Sequence, residues 1–198
     1  MYLSTAIADE LLDAAIAAIE GDRAALPEAL EALPAPIYVT DASGVVTHFN
    51  SACIGFTGRT PEAGKDRWCV TWRLYTDDGE PLPHAECPMA VTIRTGREIR
   101  GVTALAGRPN GARVRFLPLP TPLFDAKGEL VGAVNMLIDV TEARQATELR
   151  QQAARCGRLS SGVTDQHTRE ALAAMGLEYA AKAQALEETC PWAEYVAA

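Results

Sequence analysis

The segment His84-Ala85-Glu86-Cys87-Pro88-Met89 gathers an imidazole, a thiol and a thioether within six residues, and all three are haem-iron ligands. Its Cys-Pro pair is repeated at Cys190-Pro191. A packing reading competes with the haem one and is the one we favour. In it Pro88 starts a helix, Cys87 and Met89 fill a core, and His84 sits at a solvated turn. Cys69 lies between Trp68 and Trp72. With His84 and Cys87 it makes a poor metal set, because zinc wants tighter spacing and a fourth ligand. A packed Trp-Cys-Trp segment is expected instead, its two indoles walling or covering a cavity. Asn135 is a carboxamide in an otherwise apolar run, so it either holds a ligand or ties to a neighbouring turn. Trp68, Trp72, His84, Cys87, Met89 and Asn135 are therefore the candidate cofactor- or ligand-binding residues. Arg113 and Arg115 alternate with apolar residues and are expected on one solvent-facing side. No Ser/His/Asp motif, phosphate-binding glycine loop, paired carboxylates or HExxH is present, so no catalytic residue is assigned and the chain reads as non-enzymatic.

Something must position these groups. The chain has 198 residues, 48% of them hydrophobic and 22% charged, enough for one domain with helical extensions. Its net charge of -8 argues against nucleic acid, since phosphate neutralisation needs a positive field. Five cysteines without a CxxC pair point to a reducing cytoplasm rather than a disulfide framework. The acidic start lacks the basic opening of a signal peptide. No apolar run approaches the ~18 residues of a spanning helix, so a soluble cytoplasmic protein without membrane contact is expected.

Three zones follow from composition. Residues 1–33 carry seven acids against Arg23 alone. They place Ile7, Leu11, Leu12, Ala15, Ile16 and Ile19 on one side of a helical wheel. Such a face needs cover, from the chain's own sheet or from a second copy, and a homodimer through this helix is expected. Gly21-Asp22 breaks the helix, and Pro27 starts a short one. From residue 34 to 142 the pattern turns to strands. A hairpin is expected over 36–49, a capped short helix after Asn50 or Ser51, and short helices and loops over 61–83. A helix follows over 86–95, stopped by Gly96. Three strands are expected over 98–106, 113–119 and 130–139. The last is apolar on both faces, so both sides of the sheet are covered there. Residues 143–198 return to helix. A seam of Ala146, Leu149, Ala153 and Cys156 is interrupted over 157–164. A final helix over 165–189 carries a stripe of Leu172, Met175, Tyr179, Ala183 and Leu186.

Four pieces in this order resemble a Per-Arnt-Sim (PAS) domain over about residues 33 to 142. They are Tyr38-Val39-Thr40-Asp41-Ala42-Ser43-Gly44 with Phe49-Asn50, then Asp78-Gly79-Glu80-Pro81-Leu82-Pro83, then Arg108-Pro109-Asn110-Gly111. The fourth is Pro122-Leu123-Phe124-Asp125-Ala126-Lys127-Gly128, running on to Asp139-Val140-Thr141-Glu142. The resemblance implies an α+β fold, a five-stranded antiparallel sheet under short helices, and sensing or dimerisation with output through the helix after Asp139. Asp139 and Glu142 have the spacing of a helix-start signature that would join strand to helix rigidly. A small ligand, a redox response and a separate signalling partner such as a kinase or regulator are its expected correlates, with a haem-based sensor or a small enzyme as alternatives. Two departures matter. Light-oxygen-voltage (LOV) photosensors of this family carry a flavin-reactive cysteine in Asn-Cys-Arg-Phe-Leu-Gln, where this chain reads Gly64-Lys65-Asp66-Arg67-Trp68-Cys69-Val70, so flavin chemistry is not expected. His167 lacks the surroundings of a phosphoacceptor histidine and is followed by 31 residues, so kinase activity is not expected of this chain.

Overall fold

The computed structural model describes residues 5–21 and 24–189. Asp22 and the Cys190-Pro191 pair lie outside the described residues. The chain divides into two compact units, Ile7–Asp139 and Met1–Ala6 with Val140–Ala198.

The first unit opens with α1 (Thr5–Glu20) and α2 (Leu26–Glu31). Ala8, Leu12 and Ala15 of α1 are buried within the single chain. Leu11, Ile16 and Ile19 stay half-buried, so the single chain covers only part of the expected face. A six-stranded sheet follows, of order β2-β1-β6-β5-β4-β3 and antiparallel throughout. Its strands are β1 (Ile37–Asp41), β2 (Val46–Phe49), β3 (Arg73–Tyr75), β4 (Ala104–Gly107), β5 (Arg113–Phe124) and β6 (Leu130–Asp139). The sixth strand is β3, three residues inside the stretch expected to be loops and short helices. Its brevity hides it, since three residues cannot display a period of two. Between the strands lie α3 (Ala52–Thr57), a 3-10 turn at His84–Glu86 and α4 (Pro88–Thr95). Gly96 ends α4 in the left-handed conformation, as expected.

Alternation assigns the faces. Tyr38, Thr40, Ala133, Asn135 and Leu137 point inward, toward the cluster that includes Val46, Cys53, Phe56, Cys69, Val70, Cys87, Met89, Ile93 and Phe116. Ile37, Val39, Val134, Met136 and Ile138 point to the other side and are buried as well. This is the two-sided burial expected of the last strand. Ile19 of α1 lines a cleft with Val39, Leu123 and Val131, which places the end of the helix at that outer side.

The strand that contains Pro118, expected to stop at Leu119, runs on through Pro120 and Pro122. Residues two apart in a strand send their N–H and C=O to the same edge. The three missing donors therefore fall together on the edge away from β6, where no ladder partner needs them. Arg100 holds that edge through Pro120 O at 2.9 Å and Thr121 Oγ1 at 2.8 Å. The outer edges of the sheet are occupied too. Val46 donates its N–H to Asp66 O and accepts from Gly64 N, while Leu82 N donates to Leu74 O on β3.

Asn50 does not cap α3. Ser51 holds the N-cap position and makes no side-chain cap bond. Asn50 turns back to the linker before β1, accepting from Ile37 N (3.0 Å) and donating to Ala35 O (2.7 Å), Leu30 O and Leu33 O (both 3.2 Å).

The second unit contains α5 (Thr141–Gly162) and α6 (Gln166–Thr189), packed as an antiparallel hairpin. The interruption expected over 157–164 shrinks to residues 163–165. Ser160 and Ser161 hydroxyls donate back to Gly157 O, keeping α5 helical past its glycine. Asp165 then opens α6, accepting from Thr168 N at 2.8 Å. Val140, not Asp139, occupies the N-cap position of α5, with no side-chain cap bond. No helix among the described residues is long and apolar enough to cross a membrane.

Candidate functional site

A short polar chain crosses the apolar cluster on the inner side of the sheet. On β6, Asn135 donates from Nδ2 to Tyr38 Oη at 3.0 Å, and Tyr38 donates to the carbonyl of Trp68, also at 3.0 Å. Cys87 Sγ approaches the same carbonyl at 3.8 Å. That carbonyl faces inward because Trp68 has φ of +70°, the one non-glycine residue with positive φ among those described. Such a backbone costs about 1–2 kcal/mol for a residue with a Cβ. The indole is held in place by its surroundings. Trp68 N donates to Gly44 O at 2.7 Å, and a Cβ at Gly44 would lie 2.1 Å from the ring, so only glycine fits beneath it. Arg67 stacks its guanidinium 4.8 Å from the ring centroid.

At the margin, Thr71 donates from Oγ1 to Cys69 Sγ at 3.2 Å, and His84 Nε2 lies 3.1 Å from Thr71 O. A carbonyl only accepts, so Nε2 carries the proton. Burial lowers the His84 pKa below its usual range, and the ring is neutral.

Among the six residues expected to form a site, the fold brings together Trp68 by its carbonyl, Cys87, Met89 and Asn135. It leaves Trp72 outside, 44% exposed beneath the Arg73 guanidinium at 4.2 Å, so Trp72 is no wall of an inner cavity. His84 is turned to Thr71. A haem group does not fit this arrangement: Nε2 of His84, the nitrogen an iron would need, is engaged by a backbone carbonyl, and Cys87 and Met89 are packed into the cluster. No group of three or more His, Cys, Asp or Glu that could hold a metal exists among the described residues. On β5, Arg113 lies 3.9 Å over the Tyr75 ring and Arg115 pairs with Asp77.

The site is uncharged. Burial pushes the thiols of Cys53 and Cys87 up to about 12, raises Cys69, and lifts Tyr38 well above the ordinary phenol range. Thiols without thiolate character are poor nucleophiles and poor redox sensors. Cys53 and Cys87 should therefore react with a disulfide reagent at pH 8 at a small fraction of the rate seen in denaturant. Native labelling of either at the denatured rate, read by peptide mass mapping, would contradict this burial.

Three polar atoms of this inner region have no protein partner: Asn135 Oδ1, Thr40 Oγ1 and Thr92 Oγ1. Thr40 shares the inward face with Asn135, and Thr92 lies on the buried side of α4, which packs on β5 and β6. Asn135 thus takes the neighbour half of its expected choice through Nδ2, while its Oδ1 has no protein partner. The sequence reading passed over Tyr38, Thr40 and Thr92. Alternation along β1 could have found the first two, once that strand was set beside β6.

The sequence profile described as PAS fold matches residues 30–145. No curated protein matches the chain. Among solved structures, the chain is similar to a LOV protein of Rhodobacter sphaeroides, at 15% identity and TM-score 0.47 over 91% of this chain and 98% of that one. A PAS domain of the fruit-fly ELK potassium channel gives 14% identity and TM-score 0.44 over 54% and 87%. A LOV domain from a blue-light activated histidine kinase of Erythrobacter litoralis gives 22% identity and TM-score 0.42 over 54% and 96%.

Proposed function

Because the chain belongs to the PAS fold family, we propose that it is a non-enzymatic sensory module. Its inner sheet face takes a small uncharged ligand, and its last strand passes occupancy on to the helix α5. The three unpartnered buried atoms carry this reading. A buried acceptor or hydroxyl without a partner costs about 1–3 kcal/mol, and a guest offering a donor to Asn135 Oδ1 and an acceptor to a threonine hydroxyl removes that cost. Nothing ionised faces them, so a charged guest would enter without a counter-ion. A redox response through Cys53, Cys69 and Cys87 is disfavoured by the same burial. These free cysteines suit a reducing compartment such as the cytoplasm.

Output follows from chain order. Asn135 stands on β6, which ends at Asp139, and α5 begins at Thr141. A guest on Asn135 bears directly on the strand that leads into the helical unit, whose partner in this reading is a separate signalling protein such as a kinase or regulator. Native mass spectrometry of the purified protein, with Asn135→Leu in parallel, tests the proposal. A bound small molecule lost in the variant, with altered amide exchange in α5, is the expected result. A ligand-free protein that gains stability from Asn135→Leu, with α5 exchange unchanged, would overturn it.

A further inference from the structure

We propose that the α5–α6 hairpin pairs face to face with the same hairpin of a second copy, forming a four-helix bundle. The pairing goes beyond the ligand reading and stands whether or not a ligand is bound.

The two helices meet through small residues. A Cβ at Gly176 would lie 3.4 Å from Ala153 O and from Cys156 Cβ, and Ala183 is fully buried. Arg150 locks the register by a two-pronged contact to Glu187, at 3.1 and 2.6 Å. From residue 147 to 189 only Cys156 and Ala183 are buried. A two-helix layer with so little enclosed is half of a core.

The larger apolar side chains lie elsewhere. Taking Gly176 and Ala183 as the seam, Leu172, Met175, Tyr179 and Leu186 fall about 40–100° to one side of it. The helices run antiparallel, and this puts Leu159 of α5 on the same side. Leu159 is 49% and Met175 46% exposed. Between them the face carries Gln152 and Thr168 and no charge, while Arg158, Glu170 and Glu178 project elsewhere on the wheel and Arg155 stands at the α5 edge.

A second copy suits this face for two reasons. Helices of 22 and 24 residues are about 33–36 Å long, so two lying side by side offer roughly 600 Å². Two copies together reach about 1,200 Å², the lower end for specific interfaces. The second reason is charge. Glu148 stands at the α5 edge of the face and Lys182 at the α6 edge, within about one helical turn of the same height. A two-fold axis parallel to the helices sets α5 of each copy over α6 of the other, bringing Glu148 of one copy to Lys182 of the other.

Sedimentation velocity on the full-length protein at tens of micromolar tests this. A dimer is expected, weakened at least tenfold by Leu159→Glu with Met175→Glu, with thermal unfolding of the monomer unchanged because both side chains are already half exposed. Lys182→Glu should weaken it several-fold, and adding Glu148→Lys to the same chain should restore it. A monomer overturns the proposal. So does a dimer indifferent to Leu159→Glu with Met175→Glu, whatever else holds it together.

Discussion

Asn50→Ala should destabilise the protein by about 3–5 kcal/mol, because the side chain serves four backbone groups at once. Leu30 O has a second donor in Leu33 N. Ile37 N–H loses the partner it has within the strand entry, and Ala35 O its closest one. Both are buried. The linker after α2 and the first residue of β1 should loosen together. Asn50→Asp sharpens the expectation. It keeps an acceptor for Ile37 N–H but sets a carboxylate against three carbonyl oxygens, so it should be no better than alanine at neutral pH. Urea unfolding with amide exchange at Ile37 measures both variants. A loss under about 1 kcal/mol for either would mean that Asn50 does not hold the joint.

Gly132→Ala should cost about 3 kcal/mol or more, for a steric reason. The added Cβ would lie 2.1 Å from Thr40 O and 3.2 Å from Thr40 C. The obstacle is backbone, and in a paired strand it cannot swing aside. Relief requires opening β1 from β6 near Asp41, where Gly132 is the register partner. Amide exchange in residues 39–41 should rise with the fall in stability. Gly55→Ala is the control. Its Cβ meets nothing within 4 Å and lies inside α3, so it should be neutral or stabilising by up to about 1 kcal/mol. Equal effects from the two substitutions would refute the steric account.

Long, regularly patterned elements could be read from the residues. β6 shows two apolar faces and emerges at the expected bounds, and α4 sits between Pro88 and Gly96, whose backbone preferences mark its ends. What escaped was decided across the fold. The β3 strand exists through its pairing with β4, and β5 outruns its prolines only because one edge needs no donors. Asn50 looked like a local cap, and its side chain found better partners 13 to 20 positions back. In the candidate site, Asn135 was visible as a polar residue in an apolar run. The inward carbonyl of Trp68 was not, because a carbonyl has no letter in a sequence and its direction depends on a left-handed backbone that a tryptophan does not advertise.

The three prolines of β5, with residues 64–66 against Val46 of β2 and 80–82 against β3, leave this sheet few open backbone groups for a further strand. An incoming peptide gains little by lengthening it, and so does a neighbouring molecule whose own sheet has begun to fray. Recognition is thereby confined to side chains on helices and faces, where charge and shape discriminate, instead of backbone amides that accept almost any sequence. It also sets how the molecule fails. A variant weakened at Asn50 or Gly132 should lose order without seeding fibrils from β5, since a strand lacking every donor from 118 to 122 along one edge is a poor template for a copy of itself.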